Sequence, residues 1–221
     1  MRDAADGLRR VDPGYRQQRG KIRFSSTEVL HITVAIVVLS AAFAIVFRGS
    51  HLDSDPTRNL MLIIGMSFLL VICSFLFHEF GHKFVAQRYN LWSEFRMWAA
   101  GLVLALFISY FGFLFAAPGA VYIQGNIDKD TYGKISLAGP SVNLVIAAVA
   151  IAVVFSLTPG TLAYVIFQML AFLNSWFGLF NMIPIPPFDG SKIFAWNKSV
   201  YLAALAIGVI EFAIVMLYIM Y

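Results

Sequence analysis

The chain is built of long apolar runs separated by short polar breaks. Six runs stand out, at 30–47, 60–77, 97–117, 135–157, 161–180 and 199–221. Each approaches or exceeds the roughly 20 apolar residues that a membrane-crossing helix needs. The breaks carry turn signals, Asp53-Ser54-Asp55-Pro56 and Thr158-Pro159-Gly160 among them. The pattern predicts an all-α polytopic membrane protein with five to six transmembrane helices. Spans are expected near 30–47, 60–82, 135–157, 161–183 and 199–221.

The run at 97–117 is unlike the others. Gly101, Gly112 and Gly119 interrupt it or follow it, and 111–123 is rich in aromatics, Ala, Gly and Val. Lysine and arginine positions bear on its path. With five spans, all of these except Arg48 and Arg58 fall on one side of the membrane. With six, Lys129, Lys134, Lys192 and Lys198 join the far side. Cytoplasmic loops carry the excess of basic residues, so the five-span arrangement is favoured, with 97–123 a re-entrant β-hairpin or loop. Such backbone is tolerated at membrane depth where protein or a wet cavity covers it. An additional span there remains the alternative.

Composition agrees. Of 221 residues, 60% are hydrophobic and 13% charged, against about a quarter charged in soluble domains. The net charge of +4 is concentrated at the start, in Arg2, Arg9, Arg10, Arg16, Arg19, Lys21 and Arg23. Beside a span this reads as a cytoplasmic anchor to anionic lipid rather than a nucleic-acid site. The expected organisation is a basic tail over 1–29 and one membrane-embedded domain over 30–221. It would be multi-pass in the plasma membrane with its N-terminus inside. Cys73 is the only cysteine, which excludes an internal disulfide.

Candidate chemistry enters at the end of the second run, in FHEFGHKF. His78 and His82 are four apart, so on a helix both imidazoles share a face. Zinc accepts imidazole nitrogen at about 2.0–2.1 Å, and one ion can hold both rings. Glu79 adjoins His78, and H-E-x-x-H places such a glutamate as a general base. Gly81 leaves room for another backbone. A catalytic zinc site needs a third protein ligand. His51 falls on the far side; His31 is on the near side but reads as an interfacial histidine. Among carboxylates, Asp189 and Glu211 stand out. Asp189 lies in NMIPIPPFDG, where three prolines force an extended path and Asp-Gly reads as a tight turn. Five spans bring Asp189 to the side of His78 and His82; six place it opposite.

HEFGH followed by NMIPIPPFDG resembles the site-2 protease family of intramembrane zinc metallopeptidases. LHIT at 30–33, AGPSVN at 138–143 and LNSWFGLFN at 173–181 resemble further segments of that family. The resemblance implies one Zn2+ per chain on His78, His82 and Asp189, with Glu79 catalytic. It places Asn143 near the metal as a candidate donor to the developing oxyanion. It implies a β-strand edge around Pro118, Gly119 and Val121 that takes an unwound substrate segment, and a transmembrane protein as substrate. The stretch between HEFGH and APGAVYI is longer and more apolar than the family's usual hairpin. Two other classes stay open: a transporter or channel using Glu211, and a catalytically silent scaffold.

Overall fold

A computed structural model describes residues 22–114 and 117–220. Most of the basic tail, including Arg2 to Lys21, lies outside these residues. Among the described residues five helices are long and apolar enough to cross a membrane: Ser26–Gly49, Pro56–Arg88, Lys129–Val154, Leu162–Asn181 and Lys198–Ile219. The protein is a helical membrane protein.

The helices run past the apolar runs because polar caps start them. α1 (Ser26–Val46) begins at Ser25, whose hydroxyl accepts from the Glu28 amide. α2 (Pro56–Val71) begins at Asp55, with Pro56 in the first turn. Both are preferred helix starts, since they satisfy or remove orphan amides. A π-turn at Ile72–Leu76 leads without a break into α3 (Phe77–Arg88), which carries the HEFGH motif. α5 (Lys129–Val154) is capped by Asp128 and contains Pro140. α6 (Leu162–Asn181) is capped by Thr161, and α8 (Lys198–Ile214) by Asn197.

The run at 97–117 does not form a sixth span of this kind. β1 (Trp92–Met97) pairs antiparallel with β2 (Gly119–Gln124), with Trp92 opposite Gln124 and Met97 opposite Gly119. Their connection carries α4 (Ala99–Tyr110). Twelve helical residues rise about 18 Å, short of a hydrocarbon core of about 30 Å. The sheet is anchored on the β1 side by α1. The Phe95 amide donates to Glu28 Oε1 and the Met97 amide to His31 Nδ1. His31 is therefore a sheet anchor.

Two apolar clusters hold the bundle. One joins α1, the π-turn, β1 and α4 through Leu39, Phe43, Phe75, Phe95 and Leu102. The other joins α2, α5, α6 and the C-terminal helix through Leu70, Ile151, Leu170 and Val215. Leu60, Phe68, Val145, Val149, Leu202 and Ile210 point outward, as residues on a lipid-facing surface do.

Candidate metal centre

α3 and α5 approach closely, and glycine permits it. A Cβ on Gly81 would lie 2.9 Å from the Ala138 carbonyl oxygen, so the backbone approach expected at Gly81 is made by α5. A Cβ on Gly139 would collide with His82 Nε2 and lie 2.7 Å from His78 Nε2. The two imidazoles therefore occupy the space that a side chain at Gly139 would fill. Pro140, next in line, lacks an N–H and opens the α5 ladder.

The rings are fixed by their outer nitrogens. His82 Nδ1 lies 2.8 Å from the Ile135 carbonyl, which can only accept. His82 therefore donates through Nδ1 and keeps a lone pair on Nε2. Asn143 does the same for His78. Its Nδ2 donates to the Ser74 carbonyl at 2.8 Å and to Asn174 Oδ1 at 2.9 Å. That leaves Oδ1 facing His78 Nδ1 at 2.6 Å. Asn174 donates in turn to Ser74 Oγ and the Leu170 carbonyl. The π-turn, which contains Ser74, is thus tied to α5 and α6 behind the His78 ring.

Asp189 completes the group. The peptide 183–188 crosses from α6 to α7 (Asp189–Trp196), and Asp189 and Gly190 open α7 instead of closing a tight turn. The glycine is needed there because a Cβ would meet the carbonyls of Met182 and Ile183. Asp189 Oδ2 lies 3.0 Å from His82 Nε2 and 3.5 Å from His78 Nε2, and the two Nε2 atoms are 3.1 Å apart. His78, His82 and Asp189 are all buried. Three acceptor atoms converge with no donor between them, an arrangement that a cation resolves. Tetrahedral ligands at about 2.0–2.1 Å from zinc lie ~3.3 Å from one another, close to these separations. Among the described residues this trio is the group placed to hold a metal.

The trio opens into a cavity of about 420 Å3, lined also by Glu79, Pro118, Gly119, Val121, Asn181 and Lys192. Glu79 Oε2 accepts from the Val121 amide at 3.1 Å. β2 thus turns its free edge to the cavity while β1 covers the other. Lys192 Nζ lies 3.0 Å from Asp189 Oδ1. Burial draws the Lys192 ammonium down, but Asp189 raises it above the ordinary lysine value.

Asn143 was expected as a candidate oxyanion donor near the metal. Both amide hydrogens are engaged by Ser74 and Asn174, and the residue is fully buried behind His78. Its Oδ1 holds the His78 ring, and neither amide hydrogen is free to face the cavity. Glu211 is buried on α8, with Oε2 unpartnered among the described residues, and it does not line this cavity. His51 is exposed in the α1–α2 loop. Sequence reasoning missed Lys192 and the Glu28–Lys83 pair described below. The i, i+3 spacing of Asp189 and Lys192 was the available signal for the first.

Fold and site together define a polytopic membrane protein with a buried two-histidine, one-aspartate metal group. Comparison with known proteins gives the family. A Methanocaldococcus jannaschii protein, provisionally named a zinc metalloprotease, is 37% identical over 181 residues, covering 81% of this chain and 89% of the relative. The chain belongs to this zinc metalloprotease family. A second protein of that organism, named a zinc metalloprotease, is 28% identical over 166 residues, covering 75% of this chain and 42% of its own length. No family model and no solved structure matches the chain.

Proposed function

We propose that this zinc metalloprotease is of the site-2 type and cleaves membrane-spanning proteins within or beside the bilayer. One observation carries the reading: His78, His82, Asp189 and Glu79 meet in one cavity walled by helices long enough to cross a membrane. The sequence resemblance in HEFGH and NMIPIPPFDG supports the same type. The positive-inside bias supports a cytoplasmic active-site side, in a multi-pass protein of the plasma membrane.

In this reading the metal is zinc, held by Nε2 of His78, Nε2 of His82 and Oδ2 of Asp189. When bound, zinc supplies a Lewis acid that acidifies water and polarises a carbonyl. Glu79 takes a proton from the attacking water as its oxygen bonds to the scissile carbon. It delivers that proton to the amine nitrogen as the C–N bond breaks. Asn143 keeps the His78 ring in the tautomer that leaves Nε2 free. A substrate helix hides its peptide bonds in its own hydrogen bonds and must unwind first. The free edge of β2 receives the unwound segment by strand addition, with Pro118, Gly119 and Val121 along its path.

The test is cleavage of a panel of membrane-spanning substrates by wild type and Glu79→Gln. Wild type cleaves, and the variant loses roughly 10²–10⁴-fold in rate while keeping its zinc. Cleavage by the variant at the wild-type rate overturns the assignment.

A further inference from the structure

Lys192 has no part in the chemistry above, yet it lines the metal cavity beside a ligand. Its ammonium lies 3.0 Å from Asp189 Oδ1, while Oδ2 of the same carboxylate faces His82 and His78. Asp189 and Lys192 are three residues apart on α7, so their side chains meet on one face of the helix. The lysine is mostly covered, with 29% of its side chain exposed. Its Nζ lies 5.9 Å from the centre of the Tyr132 ring, on α5. A carboxylate has two chemically equal oxygens, and rotation exchanges them. Something must decide which one a metal meets, and whether it meets one or both.

We propose that Lys192 is a positioning residue for the metal. It holds Oδ1 and so presents Asp189 to the ion through Oδ2 alone, directly opposite the two Nε2 atoms. The proposal rests on Asp189 being a ligand. It makes a prediction opposite to that of simple electrostatics. A cation beside a dication repels it, so on charge alone removing Lys192 would tighten zinc. If Lys192 acts by orienting the ligand, removing it weakens zinc, because partners that orient ligating carboxylates are worth about 10–100-fold in metal affinity.

The experiment is zinc affinity by chelator competition on the full chain in detergent. It compares wild type, Lys192→Met, Lys192→Arg, Asp189→Asn and the Lys192→Met/Asp189→Asn double variant. Thermal unfolding of each metal-free form checks the fold. Lys192→Met is expected to bind zinc about 10–100-fold more weakly. Lys192→Arg, which can still donate to Oδ1, recovers most of that loss. In the Asp189→Asn background Lys192→Met costs nothing further, since residues acting through one another are not additive. Unchanged or tighter zinc in Lys192→Met overturns the proposal. So does an equal loss in both backgrounds. A wild type that binds no zinc overturns the metal reading itself, which separates that failure from this one.

Discussion

His82 and Lys83 are consecutive on α3, yet they serve two buried constellations of opposite character. Lys83 and Glu28 are both fully buried, and their charges neutralise each other. Lys83 Nζ donates to Glu28 Oε2 and to the Ser93 carbonyl, each at 2.8 Å, and lies 4.6 Å from the Phe24 ring centre. Glu28 Oε1 takes the Phe95 amide at 2.8 Å. This cluster brings its own cation and ties α1, α3 and β1 together. On the other side, His78, His82 and Asp189 offer three acceptors and no cation between them. Where the helix needs only to hold the fold, the charges balance within the chain. Where it meets the cavity, Lys192 pairs with Asp189 Oδ1 from beside the trio, and the three inward-facing acceptors are left to an ion from outside.

The contrast can be broken on either side. The largest effect is expected from Gly139→Ala, because the new methyl enters the space between the imidazoles. Zinc content falls from one per chain to background, and the metal-free protein also loses about 1–3 kcal/mol, because two anchored rings must shift to admit the methyl. Lys83→Met acts on the other cluster. It strands the Glu28 carboxylate in the interior, and breaking a buried pair in this way costs about 3–5 kcal/mol. Unfolding shifts accordingly, yet the folded fraction still binds one zinc. Adding Glu28→Gln removes the stranded charge and recovers most of the loss. The smallest effect is expected from Asn143→Leu, which frees the His78 ring without removing a ligand. Zinc affinity drops about 10–100-fold, measured by chelator competition.

Much of this was legible in the sequence because the signals are local. The apolar runs announce the spans, His78-Glu79-x-x-His82 announces a shared helix face, and charge bias places Asp189 on their side. The structure brings Asp189 within 3.5 Å of both histidines. What was not legible depends on contacts between distant segments. Glu28 and Lys83 are 55 residues apart, and nothing in either neighbourhood names the other. Asn143 could be placed near the metal by its segment, but which of its atoms are free depends on Ser74 and Asn174. The 97–117 run looked long enough to span because hydropathy does not register the strand partner. Pairing of Met97 with Gly119 and the turn after Tyr110 confine its helix to Ala99–Tyr110.

The central claim is that His78, His82 and Asp189 hold one zinc between them. Zinc content and affinity of the purified full chain test it most directly, for wild type and for His78→Ala, His82→Ala and Asp189→Ala. One zinc per wild-type chain is expected, and no stoichiometric zinc in any of the three variants, with Glu79→Gln still loaded. Wild-type zinc content in any one of the three alanine variants would overturn the claim.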